Sequence, residues 1–530
     1  TSIASDTTNR NVHIYETVLS GEIGDHNVTY DNSYHVINSM DNAHYFGWSL
    51  PSVITTIDGI TVCKGMASCS TYGDHGTFSI NDNGGGILVK GSKIQIINCK
   101  ITNNSAWARA GGIFTQNGDR VTSDISIQNT SFEGNHIQQT TIQPNGSIFE
   151  VVINGYGAAI AIGGGIYNIK SCLFFNNHGY SRTLSLEHCS GKIDNCSFYE
   201  NTGSDDEIFV ESNSILNINN STVEKRIWVF KKSLVNIKNS TVGAFGGGGS
   251  ILYANSINCD NSIIKTLFNS LADSLVSAKY SILGNLMVGS DKSIILSDSI
   301  PIDSIWLDTI TSNGGPTPTM RLKNIPFNPA KSMGNPLYLD SLDQRGYLRK
   351  DSVSIGAYQW IRPDSITVTA ESNSICLGDS AMMDITFFPS YVDDSTYSIQ
   401  DINDTIAFTD SAFIHTLAAG NAQVVVSSND GNESDTLLID VIGIIGAGSI
   451  SGDSVVCQGD GSVVYQVTPI ENATSYLWTL PSGTAGSSAG NTIAVDYDLT
   501  ATSGPISVIG QNACFDGPGA FFPVSVNIKP

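Results

Sequence analysis

The chain has 530 residues, 52 of them Gly and 16 Pro, with only 14% charged residues, a composition that suits a loop-rich all-β protein of several domains. Its 49 acidic residues outnumber 26 basic ones, and the formal net charge of −23 argues against binding to nucleic acid or to an anionic membrane surface. An apolar run of the length needed to cross a bilayer, roughly 18 residues, does not occur, so no membrane insertion is expected. The N-terminal Thr1-Ser2-Ile3-Ala4-Ser5 has neither the basic nor the apolar region of a signal peptide, which suits a processed or truncated chain.

Residues 1–62 read as a capping region. It contains the strand-like Asn11-Val12-His13-Ile14-Tyr15 and Tyr34-His35-Val36-Ile37, and ends in Thr56-Ile57-Asp58-Gly59-Ile60-Thr61-Val62. From Gly84 a glycine phrase, Gly84-Gly85-Gly86-Ile87, returns as Gly111-Gly112-Ile113 and Gly163-Gly164-Gly165-Ile166. Glycine admits the tight turns and close backbone approach that the corners of a coil require. A phosphate cradle is a poor reading, because no GxxxxGK motif follows.

Between about Ile94 and Ile282 one longer phrase recurs: an apolar residue, a spacer, Asn, a small residue, a spacer and another apolar residue. It reads Ile96-Ile97-Asn98-Cys99-Lys100-Ile101, Ile127-Gln128-Asn129-Thr130-Ser131-Phe132, Ile169-Lys170-Ser171-Cys172-Leu173-Phe174 and Ile193-Asp194-Asn195-Cys196-Ser197-Phe198. Three further copies are Ile218-Asn219-Asn220-Ser221-Thr222-Val223, Ile237-Lys238-Asn239-Ser240-Thr241-Val242 and the looser Cys259-Asp260-Asn261-Ser262-Ile263-Ile264. The Asn position, with Ser171 standing in once, advances by 31, 42, 24, 25, 19 and 22 residues, which is the period of a solenoid.

The alternation puts apolar residues on one face of strands too short to bury that face alone, so each strand must stack on its neighbours. Stacking of turns predicts a right-handed parallel β-helix with a continuous dry interior. A leucine-rich repeat is the competing solenoid, but its Leu-rich frame is missing. Asn98, Asn195, Asn220 and Asn239 are expected at equivalent corners, since a short amide tolerates left-handed backbone. Ile96, Ile193, Ile218 and Ile237 are expected to share one buried face. Of the ten cysteines, Cys99, Cys172 and Cys196 share one repeat position and should stack inward with Thr130 as free thiols. Two disulfides are candidates, Cys457 with Cys514 and, more weakly, Cys63 with Cys69, although spacing alone does not settle pairing.

Gly-Gly-Ile strands alternating with phrases such as Asn195-Cys196-Ser197-Phe198-Tyr199-Glu200-Asn201 resemble the polymorphic outer-membrane-protein type of β-helix. Residues 300–361 read as a closing segment of that coil, which occupies residues 1–361. Asn313-Gly314-Gly315-Pro316-Thr317-Pro318-Thr319-Met320, Asp343-Gln344-Arg345-Gly346 and Ser354-Ile355-Gly356-Ala357-Tyr358 are similar to the closing signature of secreted Bacteroidota proteins, usually GGPT, DQRG and DIGAYE. Ser354 replaces the usual Asp and Gln359 the usual Glu. The resemblance implies a fold, a surface setting and type IX secretion, and no active site. Residues 362–442, with Leu377-Gly378-Asp379-Ser380 and Leu417-Ala418-Ala419-Gly420, resemble a bacterial Ig-like domain. Residues 443–530, with Val456-Cys457-Gln458-Gly459 and Ala473-Thr474-Ser475-Tyr476-Leu477-Trp478, resemble a PKD-like Ig-fold domain, with Trp478 read as its core anchor. The expected class is therefore all-β: a right-handed parallel β-helix solenoid followed by two Ig-like β-sandwich domains.

Polysaccharide lyases and glycoside hydrolases also use β-helices, and they need acids projecting from neighbouring rungs toward one groove. Asp194 and Asp260 are three turns apart, with Asn219 and Lys238 between them at the equivalent positions. The Asp205-Asp206-Glu207 run reads as a solvated loop, and His136, His178 and His188 lack paired ligand spacing. No catalytic, cofactor or metal residue is assigned.

A different pattern stands out, Asp followed by Ser or Thr and then a small apolar residue or Thr. It occurs once before residue 270, at Thr7, and then at Ser274, Ser299, Ser304, Thr309, Ser341, Ser352, Ser365, Ser380, Ser395, Thr405, Ser411, Thr436 and Ser454, 13 sites among 24 later Asp residues. The phrase resembles the O-glycosylation sequon of exported Bacteroidota proteins, with turn chemistry as the competing explanation. The sequence thus points to a non-enzymatic secreted or surface protein, an adhesin or filament subunit. Its partners would be other surface proteins, glycans or copies of itself. The alternative is a carbohydrate-active β-helix enzyme with accessory Ig-like modules.

Overall fold

The computed structural model describes residues 16–23, 32–40, 54–67, 82–118, 122–137, 140–142, 148–150, 157–179, 182–247, 256–269, 275–284, 286–288, 294–297, 300–302, 307–325, 328–429, 433–443 and 447–529. From Thr17–Ser20 to Ile300–Ile302, 27 strands join one sheet system whose neighbours run parallel. Parallel neighbours one turn apart make a coil, so the stretch is a parallel β-helix. Ile57, Ile96, Ile127, Ile169, Ile193, Ile218, Ile237, Cys259 and Ala278 stand in one register column. None is more than 8% exposed. Each buried isoleucine contributes about 2 kcal/mol relative to an exposed one, which no single rung can obtain without its neighbours.

The repeated Asn takes the corner. Asn98, Asn129, Asn195, Asn220, Asn239 and Asn261 hold φ between 45° and 55°, with Ser171 at 52° in the same place. Left-handed backbone is costly for most L-residues and mild for Asn, so the residue type follows from the bend. The next position faces inward and forms a ladder. The backbone N–H of Cys99 donates to Thr130 Oγ1 at 3.3 Å, that of Cys196 to Ser221 Oγ at 3.1 Å and that of Ser221 to Ser240 Oγ at 3.2 Å. Cys99, Cys172 and Cys196 are buried free thiols in this ladder, as the repeat position implies. Beside it Phe132, Phe174 and Phe198 stack with ring centroids 4.8 and 4.2 Å apart, the spacing of successive rungs.

The closing segment lies along the side of the coil instead of only ending it. Gln344 accepts from Thr222 Oγ1 at 2.6 Å and donates to Ser197 Oγ at 2.8 Å, to Thr317 Oγ1 at 2.9 Å and to the Cys196 carbonyl at 3.1 Å. Two rungs further along, the Gly356 N–H donates to the Asn261 carbonyl at 2.9 Å. Asp343, fully buried, receives the N–H groups of Arg345, Tyr347 and Gln359 and the Arg345 guanidinium. Arg349, also fully buried, donates to the carbonyls of Ser354 and Gly356 at 2.9 and 2.8 Å. Burial holds its pKa down to about 10. The DQRG and IGAY phrases are thus a side strap across several rungs.

Residues 361–530 form a second compact unit. Within it, strands Ser365–Ala370, Ser380–Phe388, Phe413–Thr416 and Ala407–Asp410 make one sheet, and Ser374–Cys376, Ser434–Ile442, Gly420–Ser428 and Tyr397–Ile402 the other. Strands Ile450–Ser451 to Ala520–Asn527 repeat the same order of eight, with one parallel pair in each sandwich. In the second sandwich Tyr465 fills the centre, fully buried, its hydroxyl 2.8 Å from that of Tyr497. Trp478, expected as the core anchor, lies on an edge strand and is only half-buried, its indole N–H donating to the Gly490 carbonyl at 3.0 Å.

The expected Cys457–Cys514 disulfide is corrected by the structure. Cys514 bonds Cys376, with Cα atoms 5.4 Å apart, and Cys457 is a free, half-buried thiol. The reason is geometric. Cys457 pairs with Asn527 at the end of Ala520–Asn527, whereas Cys514 precedes the start of that eight-residue strand. At about 3.3 Å per residue the two ends lie some 20 Å apart, and a disulfide needs Cα atoms within about 7 Å. Of the weaker pair, Cys63 is a free thiol and Cys69 lies outside the described residues.

Candidate functional site

The acids of the coil were the first candidates for chemistry. Asp194 and Asp260 share one register column, which reads Lys170, Asp194, Asn219, Lys238, Asp260, Lys279 along the coil. Acids and lysines alternate there instead of converging. Asp194 accepts from Asn219 Nδ2 at 2.9 Å, and Asp260 accepts from Asn335 Nδ2 at 2.9 Å and from the Tyr338 hydroxyl at 2.6 Å. Both carboxylates therefore hold neighbouring structure, the second by fastening the closing segment.

The acidic run 205–207 is divided by strand alternation. Asp206 faces out and pairs with the Arg226 guanidinium, while Glu207 turns into the coil and is fully buried. His136 and His178 sit on successive rungs joined by a parallel bridge, and His178 Nδ1 lies 2.8 Å from Thr202 Oγ1. His188 is exposed beside Glu187, where left-handed backbone with φ of 51° bends the strand Leu184–Asp194. Among the described residues no group of three His, Cys, Asp or Glu side chains is placed to hold a metal ion.

A polar centre outside the recurring Asn phrase runs inside the coil. Asn104 Nδ2 donates to Asn135 Oδ1 at 3.1 Å, Asn135 Nδ2 to Asn177 Oδ1 at 3.0 Å, Asn177 Nδ2 to Asn201 Oδ1 at 3.0 Å, and Asn201 Nδ2 to Glu207 Oε2 at 3.1 Å. Each amide also donates to a backbone carbonyl of the preceding rung, those of Val62, Ile101, Phe132 and Phe174. All five side chains are at most 2% exposed. The signal was present in the sequence, because each of these asparagines follows its corner residue by the same six positions, from Asn98, Asn129, Ser171 and Asn195. Arg226 breaks the series on the next rung, and Glu207 supplies the last acceptor instead.

Burial pushes the Glu207 carboxyl up to about 7. A carboxyl with a raised folded pKa lends stability that is complete below the ordinary carboxylate range and lost as pH rises to about 7. The coil is therefore expected to lose about 3 kcal/mol of stability between those limits. Glu207→Gln should flatten this slope in thermal unfolding measured across that window. An unchanged slope would contradict the assignment.

Of the fourteen Asp-Ser/Thr positions, Thr7, Ser274, Ser299 and Ser304 lie outside the described residues. Thr309, Ser380, Ser395, Thr405, Ser411, Thr436 and Ser454 are exposed, and Ser341, Ser352 and Ser365 are half-buried. The Ser341 hydroxyl donates to the Tyr338 carbonyl at 2.6 Å.

Fold and site together define an all-β protein, a parallel β-helix followed by two Ig-like sandwiches. Residues 444–524 match the model of the PKD-like domain. No curated protein matches the chain. Similar solved structures include the Escherichia coli adhesin FdeC, 12% identical over 34% of this chain and 71% of that one, with a TM-score of 0.23. Domains 5–6 of the S-layer protein SbsC are 13% identical over 31% of this chain and 98% of that one, with a TM-score of 0.13. The N-terminal four Ig domains of Dscam1 isoform 4.44 are 11% identical over 32% of this chain and 47% of that one, with a TM-score of 0.21. No described helix is long and apolar enough to cross a membrane.

Proposed function

We propose that this chain is a non-enzymatic secreted or cell-surface protein that works as an adhesin or as a structural subunit of a filament. The observation that carries the reading is the use made of its polar side chains. The rung acids Asp194 and Asp260 hold turns and the closing strap, and the interior amides tie rung to rung. Such a coil supplies reach and contact area, and its Ig-like modules act as spacers. The Cys376–Cys514 bridge suits an oxidising compartment outside the cytoplasm. Incubation with a panel of acidic polysaccharides should leave them intact, and robust depolymerisation would overturn the reading.

The finer reading is an exported Bacteroidota protein carried by type IX secretion and O-glycosylated on a subset of its Asp-Ser/Thr sites. Its support is the resemblance of the closing phrases to that group and the exposure of seven of the ten described candidate positions. Sugars there would hydrate the later coil and the sandwiches and blunt exposed sheet edges against pairing. They would direct contacts with other surface proteins, glycans or further copies toward the earlier rungs. Peptide mapping of protein from its native host should find sugar masses at several of the 13 later sites. Unmodified peptides over all of them would sink the idea.

A further inference from the structure

The two sandwiches carry their half-cystines in a repeating arrangement that is filled once and left open once. Cys376 ends the strand Ser374–Cys376, and Cys457 ends the equivalent strand Val455–Cys457. Both strands lie parallel to the last strand of their own sandwich, with Cys376 opposite Ile442 and Cys457 opposite Asn527. The turns that follow match bond for bond. The Leu377 N–H donates to the Ile442 carbonyl at 3.1 Å and the Gln458 N–H to the Asn527 carbonyl at 2.9 Å. The Asp379 N–H donates to the Cys376 carbonyl at 2.9 Å and the Asp460 N–H to the Cys457 carbonyl at 3.1 Å. Gly378 and Gly459 hold φ of 96° and 88°.

The partner of Cys376 comes from the following sandwich. Cys514 lies in the loop between Gly504–Gln511 and Ala520–Asn527, where Asn512 Oδ1 accepts the Cys514 N–H at 2.8 Å. The equivalent loop of the first sandwich, Asn429-Asp430-Gly431-Asn432-Glu433, has no cysteine, and none occurs between Cys259 and Cys376. The first sandwich thus receives a clamp without giving one, and the second gives one while holding an unfilled receiver.

We propose that Cys457 is the receiving half of an inter-module clamp, and that its partner is the loop cysteine of a further sandwich of this fold. That sandwich would dock on the second one as the second docks on the first. A second copy of this chain fits less well, because its Cys514 is already bonded to its own Cys376. The bond forms by thiol–disulfide exchange with a small or enzyme-borne disulfide. The Cys457 thiolate attacks that disulfide and releases one thiol, and the loop-cysteine thiolate then displaces the other. Two protein thiols are oxidised, one disulfide is reduced to two thiols, and the protein's protons end on those thiols.

The test extends the full chain by a copy of residues 443–530 placed after Asn527, the counterpart of Ile442. In the added copy, Leu499→Met marks one peptide by mass and Cys457→Ser leaves a single candidate thiol. The protein is oxidised with glutathione disulfide, alkylated and cut at Asp without reductant. The expected result is residues 453–459 linked to the marked peptide 498–515, beside 364–378 linked to the unmarked one. Alkylated Cys457 with the Cys376 bridge intact would overturn the proposal, as would a dimer joined through Cys457. In the unextended native chain, a bulky maleimide should label Cys457 ahead of the buried Cys99, Cys172, Cys189, Cys196 and Cys259. A Cys457 that reacts only after unfolding would overturn it even where the added copy misfolds.

Discussion

Ile218→Asp is expected to destabilise the coil by at least several kcal/mol, about enough to abolish cooperative unfolding of the rungs around it. Ile218 is 1% exposed and stands between Ile193 and Ile237 in a column that offers a carboxylate no partner. Ile218→Val, which removes one methylene without introducing charge, should cost only about 1 kcal/mol. Thermal unfolding and amide hydrogen exchange on the strands Leu184–Asp194, Ile215–Asn219 and Leu234–Lys238 read both variants. An Asp variant that keeps its melting temperature and its protection would remove the stacked column from the explanation.

Asn177→Ala is the second large effect, expected at about 4 kcal/mol or more. The Asn177 oxygen accepts from Asn135 Nδ2 at 3.0 Å and from the Asn135 backbone at 3.1 Å. Its amide donates to the Phe132 carbonyl at 2.9 Å and to Asn201 Oδ1 at 3.0 Å. Truncation strands each of these groups in the dry interior, where an unpaired polar group costs about 1 to 3 kcal/mol. An external ladder supplies the contrast. Asn236 donates to Asn217 Oδ1 and accepts from Asn258 Nδ2, both at 2.8 Å, but on the wet face. Asn236→Ala should cost less than about 1 kcal/mol, because water replaces what is lost. Equal losses at the two positions, measured by urea unfolding, would show that burial of the interior ladder is not what makes it matter.

The rung column and the corners were legible because both follow from local repetition. Period-two alternation fixes which isoleucines face inward, and a recurring left-handed bend selects Asn. The interior amide ladder was less visible, since a buried Asn and an exposed one are written alike and only the constant offset from the corner distinguishes them. The division of Asp206 from Glu207 was missed for a related reason. A run of three acids reads as solvated until a strand boundary decides which one turns inward. The disulfide was misread because pairing was sought inside one module, whereas Cys376 and Cys514 are 138 residues apart and join consecutive modules. Trp478 was overvalued because residue type announces bulk without revealing that its strand lies at a sheet edge.

Register between successive turns is the claim from which the rest follows, and paired cysteines on the external Asn column test it most directly. Asn217 and Asn236 face each other on adjacent rungs, and Asn258 is the next member of the column. Adjacent rungs are about 4.8 Å apart, within disulfide reach, whereas two rungs are about 10 Å apart and beyond it. Asn217→Cys with Asn236→Cys should oxidise to an intramolecular bridge without loss of melting temperature, and Asn217→Cys with Asn258→Cys should stay reduced. A bridge in the second pair and none in the first would contradict the parallel coil.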